Sequence, residues 1–441
     1  MRPSQSGKIG RLLIAAVMLP SLADCIFAHE PAGWCDWRGP ERAAYSPDVP
    51  SSLPSKLIPQ WTRPLTGSGL AGLAAADHRV VLADKTADAK NDVFRCLDAE
   101  SGREVWNLTY SAPQKMDYGN APRGTPVIHN GLVYLLGAFG HLHCVRLDNG
   151  EVTWKKDFVK DFGATVPIWG FCSSPLVVDD KLIINPGGAT ASIVALDLVT
   201  GKTIWETPGD KAAYGALILA TLGGRRQIVG YDETSVGGWL PQTGERLWRL
   251  VPKEEGEYNV PTPVVVGGKL FLATEMNGAR LHGFDSQGRI IPKPLATNED
   301  FYPDMISPVA AGELVLGGSG SLMCLDINRG LELAWESWDD HYVEYFTAIA
   351  GNGRILITSI DGWLHLLEKN SRKHHVISRI DMFPGLSEKQ RQTWSHPALV
   401  GNLYFIRNQA AAYCFRIDMP PGSQDNTLRK NEVLEPRETL P

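Results

Sequence analysis

Short apolar or alternating runs, each interrupted by a turn, recur along most of the chain. The run Thr125–Leu136 is interrupted by Asn130-Gly131, and the run Thr262–Leu272 is interrupted by Gly267-Gly268. Asn-Gly and Gly-Gly between β-rich runs are strong signals for a tight hairpin, because these residues tolerate positive φ. The pattern therefore predicts an all-β protein built from antiparallel hairpins.

A second kind of hairpin follows the first and is most complete in Ala195–Trp205, which has the pattern A-x-D-x-x-T-G-x-x-x-W. Asp197 can accept backbone hydrogen bonds in the turn, and Gly201 supplies a positive φ. Trp205 ends the second strand, where its ring can pack between neighbouring units. We expect the same joints at Asp98, Gly102 and Trp106, at Asp148, Gly150 and Trp154, at Gly244 and Trp248, and at Asp326, Gly330 and Trp335.

The spacing of these tryptophans identifies the repeat. From Trp106 to Trp248 they are 48, 51 and 43 residues apart. About 40–50 residues, enough for two hairpins, is the size of a four-stranded propeller blade. Seven blades are predicted at about 70–110, 122–158, 172–208, 214–251, 259–296, 306–338 and 346–382.

An eighth blade begins at Trp394 but lacks a last strand. The segment 57–65 carries Trp61 where that strand needs a tryptophan. We therefore expect the N-terminal strand to join the C-terminal blade, which closes the ring and protects two edges. The prediction is an eight-bladed β-propeller, with seven blades as the alternative because two units are degenerate. The fifth unit has lost its tryptophan, and the seventh has lost most of the motif.

The two ends of the chain differ from the repeats. Basic Arg2, Lys8 and Arg11 precede the apolar run Leu12–Leu22, a pattern typical of a secretory signal. Export to the periplasm or the extracellular space is therefore expected, and a lipid anchor on Cys25 is the less favoured alternative. The predicted organisation is a signal peptide at 1–28, an N-terminal extended segment at 29–56, the propeller at 57–418 and a disordered tail at 419–441.

The net charge of the chain excludes two classes of partner. The net charge of −6 becomes −9 without residues 1–23, so neither nucleic acid nor anionic lipid is an expected partner. Beyond the signal, the sequence contains no apolar stretch long enough to span a bilayer.

Four cysteines occupy repeat-equivalent strand positions and are expected to be buried, whereas the state of Cys35 and Cys172 stays open. The sequence has no nucleophile-elbow, P-loop or zinc-protease motif, so we predict no catalytic residue and no metal site.

The connections between blades are rich in acidic and aromatic residues. Such a surface suits a sugar, a cationic ligand or a basic protein segment. The plainer interpretation is that the aromatics pack at the starts of blades and the acids keep the face soluble. The candidate binding residues are Asp117, Tyr118, Trp169, Tyr258, Tyr302, Asp304, Asp339, Asp340, His341, Tyr345, Trp394 and His396.

Over residues 34–418 the repeats resemble those of the pyrroloquinoline-quinone (PQQ)-type eight-bladed propellers. The stretch Asp36-Trp37-Arg38-Gly39-Pro40 also resembles the opening of secreted bacterial members of that superfamily. The resemblance implies either a quinoprotein dehydrogenase using PQQ and calcium, or the non-catalytic branch similar to the outer-membrane assembly lipoprotein BamB. The adjacent-cysteine disulfide of the enzymes is missing, and no residue here matches their calcium ligands or catalytic Asp.

The sequence therefore favours an exported, non-catalytic binding or assembly scaffold without a cofactor. A divergent PQQ-dependent oxidoreductase acting on alcohols or sugars is the first alternative, and a glycan-binding or glycan-cleaving propeller is the second. The expected partner is a protein, or a small polar ligand or glycan, on the acid–aromatic loops. The chain is expected to be a monomer.

Overall fold

The computed structural model describes residues 33–418, which form eight antiparallel sheets. Seven have four strands, and the sheet of blade 1 has a fifth strand, Gly33–Trp34, beside its first strand. Blade 1 contains the strands Ala74–Ala76, Arg79–Lys85, Asn91–Asp98 and Glu104–Ser111, and blade 2 contains Val127–His129, Leu132–Leu136, His141–Arg146 and Val152–Asp157. Blade 3 contains Leu176–Val178, Lys181–Ile184, Ile193–Asp197 and Thr203–Thr207, and blade 4 contains Ile218–Leu222, Arg225–Tyr231, Val236–Trp239 and Arg246–Leu250.

Blades 5 to 8 follow the same plan, and the first three strands of blade 8 are joined by one from the N-terminal part of the chain. Blade 5 contains the strands Val264–Val266, Lys269–Thr274, Gly278–His282 and Ala296–Asn298, and blade 6 contains Val309–Ala311, Leu314–Gly317, Leu322–Asp326 and Glu332–Ser337. Blade 7 contains Phe346–Gly351, Arg354–Ser359, Trp363–Glu368 and Val376–Asp381, and blade 8 contains Ala398–Val400, Leu403–Arg407, Ala411–Arg416 and Pro59–Pro64. The predicted eight-bladed propeller is confirmed.

Helices are few in the described part of the chain and lie in the connections. The α-helices are Phe158–Phe162 and Glu388–Arg391, and the 3-10 helices are Pro40–Arg42, Ile327–Arg329 and Asp340–Tyr342. Among residues 33–418, no helix is long and apolar enough to cross a membrane. The predicted signal peptide, Cys25 and the C-terminal tail lie outside the described residues.

The last two strands of a blade are joined by the turn that the motif predicts. In blade 3, Asp197 Oδ1 accepts hydrogen bonds from the Thr200 amide and hydroxyl, at 2.7 and 2.6 Å. Gly201 has a φ of 66° and its amide donates to the Asp197 carbonyl. In blade 2 the amide of Gly150 donates to the carbonyl of Arg146. Arg146 therefore occupies the place of Asp197, and Asp148 lies two residues further into the turn.

Ring closure joins the two ends of the described chain. Pro59–Pro64 pairs antiparallel with Ala411–Arg416, and Trp61 lies opposite Cys414. The Trp61 indole donates to the Ala99 carbonyl of blade 1 at 2.9 Å. Trp61 is thus the blade-8 equivalent of the other joint tryptophans, and the fold depends on a pairing between strands about 350 residues apart in sequence.

Each joint tryptophan packs against the next blade. The rings of Trp61, Trp106, Trp154 and Trp205 lie against the glycines of the following blade, which are Gly102, Gly150, Gly201 and Gly244. The indole N–H of each donates to a carbonyl of that same turn, from Ala99, Leu147, Leu198 and Pro241. Each joint therefore combines apolar burial with a satisfied polar atom, which is how a tryptophan is usually buried.

The joints change around the degenerate fifth blade. Trp248 packs edge-on against Phe284 of blade 5, with ring centroids 5.7 Å apart. Blade 5 itself has no tryptophan, so no described atom lies within 4 Å of a side chain built on Gly330 of blade 6. Instead, the Asn298 amide of blade 5 donates to the Leu331 carbonyl at 2.9 Å. This hydrogen bond stands where Trp61, Trp106, Trp154 and Trp205 place a buried ring in their joints.

Candidate functional site

The antiparallel topology gives the ring two different faces. Connections from a fourth strand to the next first strand, and from a second to a third strand, lie on one face, which we call the loop face. The hairpin turns between first and second strands and between third and fourth strands lie on the opposite face, the turn face. First strands of neighbouring blades contact one another, so they surround the central channel.

All twelve predicted binding residues lie on connections of the loop face. They belong to the connections that enter blades 2, 3, 5, 6, 7 and 8. Their exposure differs. Asp117, Tyr118, Tyr258, Tyr302, Asp304 and Asp340 are exposed; Trp169, Asp339, His341 and Trp394 are half-buried; Tyr345 and His396 are buried.

An aromatic cluster brings together four loop-face connections, those that enter blades 2, 3, 4 and 5. The ring of Trp169 lies 4.5 Å from that of Tyr258 and 5.1 Å from that of Tyr214. Tyr118 is 6.4 Å away and 81% exposed. Sequence reasoning missed Tyr214, although it occupies the blade-4 connection as the others occupy theirs. The cluster is close-packed, so it presents a platform rather than a cage.

Arg123 holds the loop that carries Tyr118. Its guanidinium donates to the carbonyls of Ala121, Asp117 and Gly119 at 2.8, 3.0 and 2.9 Å. Burial lowers the pKa of Arg123 below its usual value. Because three carbonyls share one buried guanidinium, the position of Tyr118 is set from within the protein.

Blade 7 contains a group of Ser, His and Asp residues. His341 Nδ1 and Asp361 Oδ2 are 2.6 Å apart, and the Ser359 hydroxyl donates to Asp361 Oδ1 at 2.5 Å. Ser359 also lies 3.4 Å from His365 Nε2, and burial lowers the pKa of His365 to about 3. Ser359 and His365 are fully buried, so no substrate could reach the hydroxyl. This group supports the loop containing Asp339 and Asp340 and does not form a nucleophilic site.

The central channel is occupied by the protein's own N-terminal segment, residues 33–46, which we call the plug. Gly33 and Trp34 pair with Ala76 and Ala75 near the turn face. The chain returns to that face where the Ser46 amide donates to the Ala350 carbonyl at 2.9 Å. Between these points the plug reaches toward the loop-face ends of the first strands.

Two arginines fix the tip of the plug. Arg42 donates to the carbonyls of Ser174 and Leu217 at 3.1 and 2.7 Å, and also to that of Pro175. It also pairs with Asp36 through two hydrogen bonds of 2.8 and 2.9 Å. Arg38 donates to the Pro308 carbonyl at 2.6 Å. The tip is therefore hydrogen-bonded to blades 3, 4 and 6.

An aromatic pair lies beside these arginines. The rings of Trp37 and His396 are 4.1 Å apart, and the Trp37 indole donates to the Thr262 hydroxyl at 3.2 Å. Burial, with a smaller contribution from the positive charge of Arg38, lowers the pKa of His396 to about 3. Burial also lowers the pKa of Arg38 to about 10. Neither arginine was predicted from the sequence to be part of a site. Arg38 lies within, and Arg42 just after, the Asp36–Pro40 stretch that resembles the opening of the secreted bacterial proteins.

The centre of the ring does not fit the calcium that accompanies PQQ in the resembling enzymes. Calcium takes about six to eight oxygen ligands, mostly carboxylates and carbonyls. The plug instead supplies two guanidiniums. Of its two carboxylates, Asp36 is already bonded to Arg42, and Glu41 is exposed to solvent. Residues 33–418 contain no cluster of three or more potential metal-ligating His, Cys, Asp or Glu side chains.

Two small crevices flank the connection that enters blade 5, one toward blade 4 and the other toward the connection that enters blade 6. Tyr231, Glu257 and Arg280 line one, and Tyr258 and Asp304 help to line the other. Each has a volume of about 10 Å³, which is room for a single water molecule. They are too small to hold a sugar or a quinone.

Comparisons with known proteins agree with this architecture. Outer membrane protein assembly factor BamB of Burkholderia pseudomallei is 23% identical over 191 residues, covering 43% of this chain and 45% of that protein. Quinoprotein alcohol dehydrogenase PedH of Pseudomonas putida is 24% identical over 177 residues, covering 37% and 28%. The chain thus matches less than half the length of either relative.

Solved structures show the same fold at lower identity. BamB from Moraxella catarrhalis aligns with a TM-score of 0.56 and 16% identity, over 82% of this chain and all of that one. Quinohemoprotein alcohol dehydrogenase from Comamonas testosteroni aligns with a TM-score of 0.62 and 13% identity, over 89% and 82%. A family model described as outer membrane protein assembly factor BamB matches residues 89–337, more than half of the chain. The chain therefore belongs to this family of PQQ-like β-propellers.

Proposed function

We propose that this protein is an exported scaffold that binds a protein partner on its loop face and performs no chemistry of its own. The plug is the observation that carries the proposal. Arg42 and Arg38 hold it to the first-strand ends of blades 3, 4 and 6, and Trp37 adds a hydrogen bond to blade 5. With the channel filled in this way, the surrounding connections form a broad surface, which suits a macromolecule better than a small substrate.

The chemistry of the ring centre supports the same proposal. An oxidoreductase using calcium and a quinone would need oxygen ligands around its cofactor, whereas the groups at the tip of the plug are mainly cationic or aromatic. Ser359 and His365 of the Ser–His–Asp group in blade 7 are buried, so the hydroxyl cannot act on a substrate. What remains accessible is the aromatic platform and the charged connections around it.

Site-specific cross-linking tests the proposal. A photoreactive amino acid would replace Tyr118 or Tyr302 on the loop face, or Val199 on the turn face, in the full chain expressed in its own host. Val199 is the matched control because it is 68% exposed and lies on the opposite side of the ring. We expect adducts with the same defined protein from both tyrosine positions and none from Val199.

Two results would count against the scaffold. Equal adducts from Val199 would show that contacts on the loop face are not selective. Stoichiometric binding of PQQ with calcium, accompanied by dye-linked oxidation of an alcohol or sugar, would make the protein an oxidoreductase.

A further inference from the structure

The loop face is divided into a strongly acidic half and a half in which acidic and basic side chains balance. One half, which we call the acidic arc, consists of residues 251–263, 275–277, 299–308 and 338–345 on blades 4 to 7. It contains ten acidic side chains and one lysine, Lys253. The loop-face connections of the other five blades, counted in the same way, contain seven acidic and seven basic side chains. A charged partner would therefore distinguish the two halves.

Most of the acids in the arc have no counter-charge within the described protein. Eight form no ion pair with any residue of 33–418. One of them, Glu257, is buried, and the other seven are exposed: Glu255, Glu275, Glu299, Asp300, Asp304, Asp340 and Glu344. Nearby like charges repel one another, and pairing within the protein would have reduced that repulsion. Their field instead extends into the solvent, where it can attract a cation.

The arc also exposes large apolar side chains. It contains seven of the twenty large hydrophobic residues that are exposed in the described chain, within about a tenth of its length. Isolated exposed apolar residues are ordinary, but a concentration of them marks an interaction surface. Their exposures range from 39% to 71%, and they are Val251, Tyr258, Met276, Tyr302, Met305, Trp338 and Val343.

Contacts show that the arc is continuous. Tyr258, Glu275 and Asp304 line one crevice, which joins the connections of blades 5 and 6. The Asn277 amide donates to the Glu254 carbonyl at 2.8 Å. Further round the ring, Ile306 packs in one apolar cluster with Tyr342. The segments of the arc therefore form one surface.

We propose that the acidic arc binds a lysine- or arginine-rich polypeptide segment of the partner, one that also carries bulky apolar residues. This inference rests on the proposed scaffold function and specifies its partner. The unpaired carboxylates supply charge complementarity, and exposed Trp338 and Tyr302 can take arginine over their rings. The apolar side chains of the segment then cover those of the arc.

The same observations disfavour other ligands. A neutral glycan gains little from seven unpaired carboxylates, and the crevices of about 10 Å³ cannot enclose a sugar ring. Nucleic acid and anionic membranes carry the wrong charge for this half of the face. An extended basic segment instead matches both the charge of the arc and its spread over four connections.

A peptide-binding measurement tests the inference. The probe is a fluorescent synthetic peptide that alternates lysine and leucine, and its counterpart has glutamate in place of every lysine. The variant E299Q/D300N/D304N removes three charges from the arc. The matched control E100Q/D148N/E245Q removes three exposed, unpaired carboxylates from the turn face. Binding of each peptide would be measured by fluorescence polarisation at low and at high salt.

We expect the wild-type chain and the turn-face control to bind the lysine peptide, with an affinity that falls as salt screens the charges. The arc variant should bind about ten-fold more weakly or worse, with a shallower salt dependence. A W338A variant should lose affinity without losing salt dependence. Binding of the glutamate counterpart should be weak for all variants.

The outcomes separate this inference from the scaffold function. Equal affinities of the arc variant and the turn-face control would overturn the acidic arc as the binding surface. If the cross-links from Tyr118 and Tyr302 persisted in that case, the scaffold function would stand with a different partner chemistry. Selective binding of an oligosaccharide, undisturbed by the arc variant, would also overturn the inference.

Discussion

The indole of Trp154 lies so close to the main chain of Gly201 that a Cβ atom on the glycine would be 2.6 Å from Cδ2 of the ring. The same indole donates to the Leu198 carbonyl at 3.0 Å. Blade 2 is therefore held to blade 3 by a ring that only a residue without a side chain can accommodate.

This contact predicts different costs for two alanine substitutions. Gly201 and Gly330 have nearly the same φ, 66° and 68°, so alanine costs about 1–2 kcal/mol of backbone strain at either site. G201A should cost about 1–3 kcal/mol more, because its methyl group overlaps Trp154. No described atom lies near the corresponding position of Gly330. Urea unfolding of both variants is the measurement, and equal losses would contradict the joint.

Ring closure predicts that Trp61 is important for stability. W61A removes a buried ring from the closing strand and should lower the free energy of unfolding by about 3–5 kcal/mol. W338A is the control, because its ring is 71% exposed and its loss should change stability by about 0.5 kcal/mol or less. Thermal and urea unfolding would be compared, and similar losses in the two variants would argue against closure through Trp61.

The plug contains an ion pair that can be tested by a double-mutant cycle. R42M leaves the Asp36 carboxylate without its partner and frees three carbonyls, so it should destabilise by about 3–5 kcal/mol. D36N/R42M should recover part of that loss. R226M breaks an exposed pair with Asp179 and should cost about 1 kcal/mol or less. A coupling energy near zero between Asp36 and Arg42 would show that the pair does not hold the plug.

The buried histidines predict how stability depends on pH. The pKa of His396 is about 3 in the folded protein, compared with about 6.5 when unfolded. Between these values the unfolded chain binds the extra proton, so stability is full above about pH 6.5 and falls as the pH drops toward 3. H396Q should flatten this slope by about 1.4 kcal/mol per pH unit between about pH 4 and 6. The free energies of unfolding of the wild-type chain and H396Q would be measured by urea unfolding across this pH range. At about pH 8, where the histidine is neutral in both states, their difference gives the loss of packing alone. An unchanged dependence of stability on pH in acid would refute the prediction.

The repeat and the closed ring could be deduced from the sequence because they rest on local chemistry. A turn needs an acceptor such as Asp197 and a residue such as Gly201 that tolerates positive φ, and both recur at blade spacing. Trp61 could be assigned to blade 8 because the last blade lacked a strand. The register was less secure: Asp148 seemed equivalent to Asp197, but the strand pairing gives that place to Arg146.

The candidate site was only partly predictable. Acidic and aromatic residues were visible in the connections, and antiparallel topology was enough to assign them to one face. Which of them reach solvent depends on packing between blades, and this buries Tyr345 and His396 while leaving Tyr302 exposed. The ring contact between Trp169 and Tyr214 likewise joins residues from different blades.

The sequence by itself determined the all-β architecture, the blade unit and the closing strand, because each is encoded by turn chemistry and periodic burial. Only the tertiary structure decided that the N-terminal segment fills the channel, since Arg42 bonds to carbonyls more than 130 positions away. It also decided which carboxylates remain unpaired, because an ion pair depends on distances between side chains that local sequence does not specify.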